Sequence, residues 1–179
     1  TPRFGEGPLK GLPDAASLDI EADDILFTTD SFVVQPIFFP GGNIGDLAVH
    51  GTVNDISVSG GIPLYLSLAL ILEEGLPFAT LETVLDSIAA AAKQADVKVA
   101  TGDTKVVANG ECDQMYVNTS GIGTRITGMT PAPAKIRSGD AIIVTGTIGD
   151  HGMAVMTARK EVELQNGPIS DTASLNKMI

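Results

Sequence analysis

Residues 64–72 read LYLSLALIL, with Leu64, Leu66, Leu68, Leu70 and Leu72 at every second position and Tyr65, Ser67, Ala69 and Ile71 between them. A period of two is that of a β-strand, whose side chains alternate between its faces. Both sets are largely apolar, so both faces are expected to be covered. The run is too short to cross a bilayer, which takes about twenty residues.

Elements on either side fit this strand into a layered fold. Downstream, Leu81, Val84, Leu85, Ile88 and Ala92 recur at helical spacing, with Thr80 as the expected N-cap and Glu82 suited to the positive end of the helix dipole. VKVATGDTKVV (97–107) reads as a second strand. Asn109-Gly110 then signals a type I′ hairpin, with CDQMYVNTSGIG (112–123) as the returning strand. Upstream, the segment to Glu21 reads as loop and ILFTTD (Ile25–Asp30) as a short strand. FVVQPIFFPGGNIGD reads as a long ordered loop broken by Pro36, Pro40 and Gly41-Gly42. Ile44–Ser59 is expected to be helical, with Ile44, Leu47, Ala48, Gly51, Asp55 and Val58 on one side. Its helix propensity is poor, so close packing is expected to hold it, Gly51 allowing the approach.

The alternation of strands and helices predicts an α/β (α+β) chain: a mixed sheet with flanking helices in residues 1–127 and a Pro- and Gly-containing linker at 128–139. The beginning of a second α+β domain follows at 140–179, where AIIVTGTIGDHG (141–152) runs from strand through a Gly-rich turn into a helix near His151. That second part is expected to be too short to close its own core.

Composition narrows the function. The chain is 44% hydrophobic and 18% charged, which suits a packed core and not disorder. A net charge of −11 argues against nucleic-acid binding, which needs basic surface, but permits a nucleotide whose magnesium offsets the carboxylates. The single cysteine, Cys112, forbids an internal disulfide and argues against a cysteine zinc site and for a reducing compartment. Its neighbours Glu111 and Asp113 raise a thiol pKa, so it is expected to be a poor nucleophile. No secretory leader and no membrane segment is read, and the missing initiator Met suggests that the natural N-terminus is absent.

Four aspartates stand at or beside strand ends: Asp30 in TTD, Asp55 in ND, Asp103 in TGDTK and Asp150 in GTIGD. Magnesium takes oxygen ligands and is usually shared between one or two carboxylates and substrate phosphates. Any one of the four could be a turn or cap residue; together, with Lys105 two residues past Asp103 to neutralise phosphate, they suit a metal–nucleotide site. PGGNIGD and GTIGDHG could each offer backbone N–H groups to an anion, or be an ordinary loop and a plain Asp150 N-cap. GxxxxGK[ST] and GxGxxG are absent, so neither a P-loop nor a dinucleotide fingerprint is present.

TTDSFVVQPIFFPGGNIGDLAVHGTVNDISVSGGIPLYLSLALILEEGLP, TGDTKVV and VTGTIGDHG, in that order, resemble the hydrogenase maturation factor HypE family. TTD, ND and GDT also recur in the wider aminoimidazole ribonucleotide synthetase-like superfamily, which includes small-molecule kinases, and FFPGGNIG argues against these. The resemblance implies ATP and Mg²⁺ as cofactors and a carbamoyl dehydratase activity. In it, a thiocarboxamide on a C-terminal cysteine becomes a thiocyanate and supplies cyanide to the iron of [NiFe]-hydrogenase. It implies a homodimer whose sheets pair into a barrel, a HypF carbamoyltransferase and a HypC–HypD complex as partners, and a cytoplasmic setting. By motif position it implies Asp30, Asp55 and Asp103 as metal ligands. Asn54, Thr104, Lys105 and Asp150 join these three around the nucleotide, with Asp103 and Lys105 in catalysis. The family's terminal cysteine is not in this sequence and Cys112 is not its counterpart, so the chain itself is expected to be inactive, a dimer-forming fragment.

Overall fold

The computed structural model describes residues 15–160 and 166–178. In chain order its elements are β1 (Ile25–Phe32), β2 (Phe38–Phe39), β3 (Gly42–Asn43), α1 (Ile44–Val58), β4 (Gly61–Glu73), α2 (Phe78–Ala95), β5 (Lys98–Val107), β6 (Met115–Arg125) and α3 (Asp150–Ala158). The leucine-rich strand is β4. It lies inside a four-stranded sheet of order β1-β6-β4-β5, parallel to β5 and antiparallel to β6. β1 closes the other side, antiparallel to β6, from Ile25↔Thr124 to Phe32↔Val117. The fold is therefore the mixed sheet with helices that the alternation predicts.

The hairpin expected at Asn109-Gly110 does not form, because β4 lies between β5 and β6. Gly110 has φ +86° but Asn109 is not left-handed, so the turn is not type I′. The last residue of β4 organises this connection instead. The Glu73 carboxylate accepts from the N–H of Gly110 at 2.6 Å and of Gln114 at 3.0 Å, and the Glu73 N–H donates to the Gln114 carbonyl at 2.9 Å. The second strand starts at Met115, which leaves Cys112 buried in the connection. Burial, then the charges of Glu73 and Asp113, pushes its thiol pKa up. The upward shift is the one expected from sequence, with burial as the larger cause and Glu73 in the place of Glu111.

The helices cover one face of the sheet. Leu66, Leu68, Leu70 and Leu72 are buried beneath them, while Tyr65, Ser67 and Ala69 are half-buried and Ile71 is 41% exposed on the other face. The expectation that both faces would be covered fails within this chain, since apolar alternation records what a strand can bury and not which layer is present.

α1 is capped by Asn43, whose side chain accepts from the Gly45 N–H at 2.8 Å while its own N–H donates to Asp46 at 2.9 Å. The buried stripe is Ile44, Ala48, Val49, Thr52, Val53 and Ile56, whereas Asp55 and Val58 of the expected stripe are exposed. Gly45 and Gly51 set how closely the helix lies. A Cβ on Gly45 would stand 2.6 Å from the Val84 carbonyl oxygen of α2, and one on Gly51 would stand 2.8 Å from the Phe32 ring. α2 begins at Phe78 with Pro77 as its N-cap, so Thr80 falls in the first turn and not at the cap. Residues 141–149 form no strand, and Ile142, Ile143, Val144 and Ile148 are exposed with no ladder partner among the described residues. The helix expected near His151 is α3. Among the described residues no helix is long and apolar enough to cross a membrane.

Gly45→Ala should lower stability by about 1–3 kcal/mol, the range for overpacking, because the added methyl meets backbone that cannot rotate away. A urea unfolding midpoint equal to that of the wild type would show that α1 and α2 can separate freely.

Candidate nucleotide and metal site

Asp30 sits inside β1 and not at its end, on the side that faces α1. Its Oδ1 accepts from the Ser31 N–H at 2.7 Å, and its Oδ2 is 3.8 Å from the Cβ position of Gly51. Asp55 is four residues beyond Gly51, hence on the same side of the helix. Thr28, two residues before Asp30 and therefore on the same strand face, donates its hydroxyl to Asp55 Oδ2 at 3.3 Å. Thr28, Asp30 and Asp55 thus line one seam between β1 and α1, with Asp55 exposed and Asp30 half-buried. Thr28 was not singled out from sequence. The signal for it was its even spacing from Asp30.

Asp103 and Lys105 occupy a different place. They lie on β5 and form an exposed ion pair, Lys105 Nζ to Asp103 at 2.8 Å and 2.6 Å. The hydrogen bond from Lys105, then that from the Thr104 backbone, holds the Asp103 carboxyl below its ordinary range. In register, Asp103 pairs with Ala69, Ala69 with Asn118 and Asn118 with Ser31. Asp103 is therefore in the row beside Asp30, on the sheet face that Asp30 does not use. At about 4.8 Å per strand, three spacings put it roughly 14 Å away. Thr104 pairs with Leu70, on the helix-bearing face, so it points away from its two neighbours. Among the described residues no three acidic, histidine or cysteine side chains gather as a metal cage. One chain brings Asp30 and Asp55 together and leaves Asp103 apart.

The remaining candidates have partners of their own. Asn54 gives its amide to the Ala173 carbonyl at 2.9 Å and accepts from the Leu175 N–H at 2.8 Å. Asp150 is the first residue of α3, accepting from the Thr147 hydroxyl, and the N-cap is Gly149 at φ +91°. The PGGNIGD loop has no N–H to spare at 43–45, because Asn43 donates to Asp46, Ile44 to the Ile37 carbonyl and Gly45 to Asn43. The two readings of that loop resolve to a turn and a cap. At GTIGDHG, the His151 N–H at the start of α3 already donates to Asp171 at 3.0 Å.

The chain matches the family model for AIR synthase related proteins, N-terminal domain, over residues 13–125, and belongs to that family. HypE proteins are among its relatives. It is 46% identical to the carbamoyl dehydratase HypE of Bradyrhizobium diazoefficiens over 98% of its own length and 51% of that protein's. It superposes on a hydrogenase maturation protein HypE in complex with ATP with a TM-score of 0.93 and 48% identity, covering 98% of this chain and 52% of that one. On HypE in a HypE–HypF complex the TM-score is 0.84 at 48% identity, over 98% and 56% of the two chains. The chain spans about half the length of the curated relatives it matches.

His50, on α1, is buried and meets Ser174 Oγ at 2.7 Å through Nδ1. Burial lowers its pKa from 6.5, outweighing the upward pull of Asp46. The fold therefore favours the neutral ring. That contribution is complete above about 6.5 and is lost as the pH falls from there toward the lowered value. The thermal midpoint should drop between pH 7 and 5, and His50→Gln should flatten part of that drop. An unchanged slope in the variant would place the titration elsewhere.

Proposed function

We propose that this chain is the nucleotide-binding part of an ATP-dependent carbamoyl dehydratase. The whole protein would convert a thiocarboxamide on a C-terminal cysteine into a thiocyanate, for the cyanide ligands of a [NiFe]-hydrogenase. The observation that carries this is the superposition, over nearly the whole chain, on a HypE in complex with ATP. A HypF carbamoyltransferase would load the cysteine, a HypC–HypD complex would take the product, and the setting would be cytoplasmic.

The donor set along the β1–α1 seam fits magnesium. Asp30 and Asp55 offer hard carboxylate oxygens, the ligands this ion prefers, and the Thr28 hydroxyl braces one of them. Bound ATP would supply the phosphoryl group that activates the substrate oxygen. Lys105 would neutralise phosphate charge, and Asp103 would hold its ammonium in place, as it does here at 2.6 Å. Asn54 and Asp150, whose side chains are engaged within the chain, would act by supporting α1 and α3.

A second copy would reconcile the separated groups. β1 and β5 are the two edges of the sheet, so closing two sheets edge to edge would set β5 of one copy beside β1 of the other. The open face carries Ile25, Phe27 and Ile71, which are 51%, 68% and 41% exposed, and burying it in a barrel would cover them.

Three outcomes test this reading. Light scattering at micromolar concentration should give a dimer mass, and a monomer would remove the barrel. Calorimetry should show the chain binding Mg-ATP. In the full-length protein, Asp103→Asn and Lys105→Ala should abolish ATP turnover yet change stability by less than about 1 kcal/mol, since both side chains are exposed. Turnover near the wild-type rate in either variant would exclude that residue from the site.

A further inference from the structure

The segment Ser170–Lys177 crosses the molecule and is hydrogen-bonded to four separate elements along its way. At its start the Ser170 N–H donates to the Pro40 carbonyl at 2.8 Å, in the turn between β2 and β3. A Cβ on Gly41 would stand 2.8 Å from that same nitrogen, so only glycine lets the segment lie so close. Ser170 Oγ and Asp171 Oδ1 then hold the start of α3, at 3.0 Å from His151 Nδ1 and 3.0 Å from its N–H. Ser174 Oγ meets His50 of α1. Farther on, Asn176 donates to the Ala95 carbonyl at 2.9 Å and Lys177 to that of Gln94 at 3.2 Å, both at the end of α2.

Asn54 is the centre of this run. Its amide carries donors on Nδ2 and an acceptor in Oδ1, and these meet the carbonyl of Ala173 and the N–H of Leu175 as a neighbouring strand would. Neither aspartate, which lacks the donor, nor an apolar residue can do both. Asn54 and Asp55 are successive on α1, so their side chains leave the helix about 100° apart. Fixing Asn54 from behind therefore fixes the rotation of α1, and with it the direction in which Asp55 meets Thr28.

We propose that Asn54 is a positioning residue: by clasping Ala173 and Leu175 it closes Ser170–Asn176 as a strap that sets α1 against the β2–β3 turn and α3, and the closed strap is the form that binds Mg-ATP. The second half rests on the reading of Asp30 and Asp55 as magnesium ligands. The first half does not.

Hydrogen exchange read by mass spectrometry on the full chain separates the two. Asn54→Ala removes both bonds. Asn54→Asp keeps the acceptor but sets a carboxylate oxygen against the Ala173 carbonyl. In each, exchange over 170–176 should rise at least tenfold while β4 and β6 stay protected, which shows the fold intact. The Kd for Mg-ATP should rise by the inverse of the closed fraction that the exchange data give for each variant, because only the closed fraction binds. Saturating Mg-ATP should restore protection over 170–176 in Asn54→Ala, a reversal that damage to the fold would not show. Unchanged exchange in both variants would overturn the strap. Exchange that shows the strap mostly open in a variant whose Kd is unchanged would overturn its coupling to the nucleotide. Failure of the wild-type chain to bind Mg-ATP would overturn the magnesium reading and the coupling with it, while the exchange data would still decide the strap.

Discussion

The Thr119 hydroxyl, on β6, is shut away from water between the sheet and α1. It donates to the Ala48 carbonyl at 3.1 Å and stands 2.5 Å from the Thr52 hydroxyl, whose proton it is placed to receive. Unpaired polar groups in such a place would cost about 1–3 kcal/mol each, so the helix and the strand are held at one depth and one register. The rest follows from that depth. At this distance α1 needs glycine where it meets α2 and where it meets the Phe32 ring. The same closeness brings Asp55 within reach of Thr28, and turns Asn54 outward to the segment behind it.

Much of this was legible in the residues. The leucine alternation of β4 located the central strand, and the poor intrinsic propensity of Ile44–Val58 pointed to a helix kept by packing, as its buried stripe shows. What failed were inferences from local signals to non-local facts. Asn109-Gly110 is a strong turn pair, but nothing in it states that β4 will stand between the strands it joins. Thr80 looks like a cap until Pro77, with its fixed φ, starts the helix three residues sooner. In 141–149 the β-branched residues record strand propensity, but among the described residues no strand pairs with them.

The site was legible residue by residue and not as an assembly. Asp30, Asp55 and Asp103 each stand in or beside a regular element, yet which share a face depends on strand order and pleat. β6 and β4 fall between β1 and β5, and Asp103 is one row out of step with Asp30. Asn54 shows the reverse. Its place beside Asp55 put it among the nucleotide residues that the resemblance implies, but its partners lie more than a hundred residues downstream, where no spacing rule reaches.

Among the described residues β1 has one ladder partner, β6, which it meets across some ninety residues of chain, with the Thr29 and Ser120 hydroxyls 2.9 Å apart. On a ribosome, β1 therefore emerges long before β6, while α1, β4 and α2 have time to gather around local contacts. Until Val117 leaves the exit tunnel, β1 has none of its β6 partners, and the hydrogen-bonding groups of the edge that β6 will cover stand open. Completion of the sheet is thus a late, long-range event in synthesis, of the kind that slows folding as sequence separation grows. The order of the strands makes the first one built the last one placed.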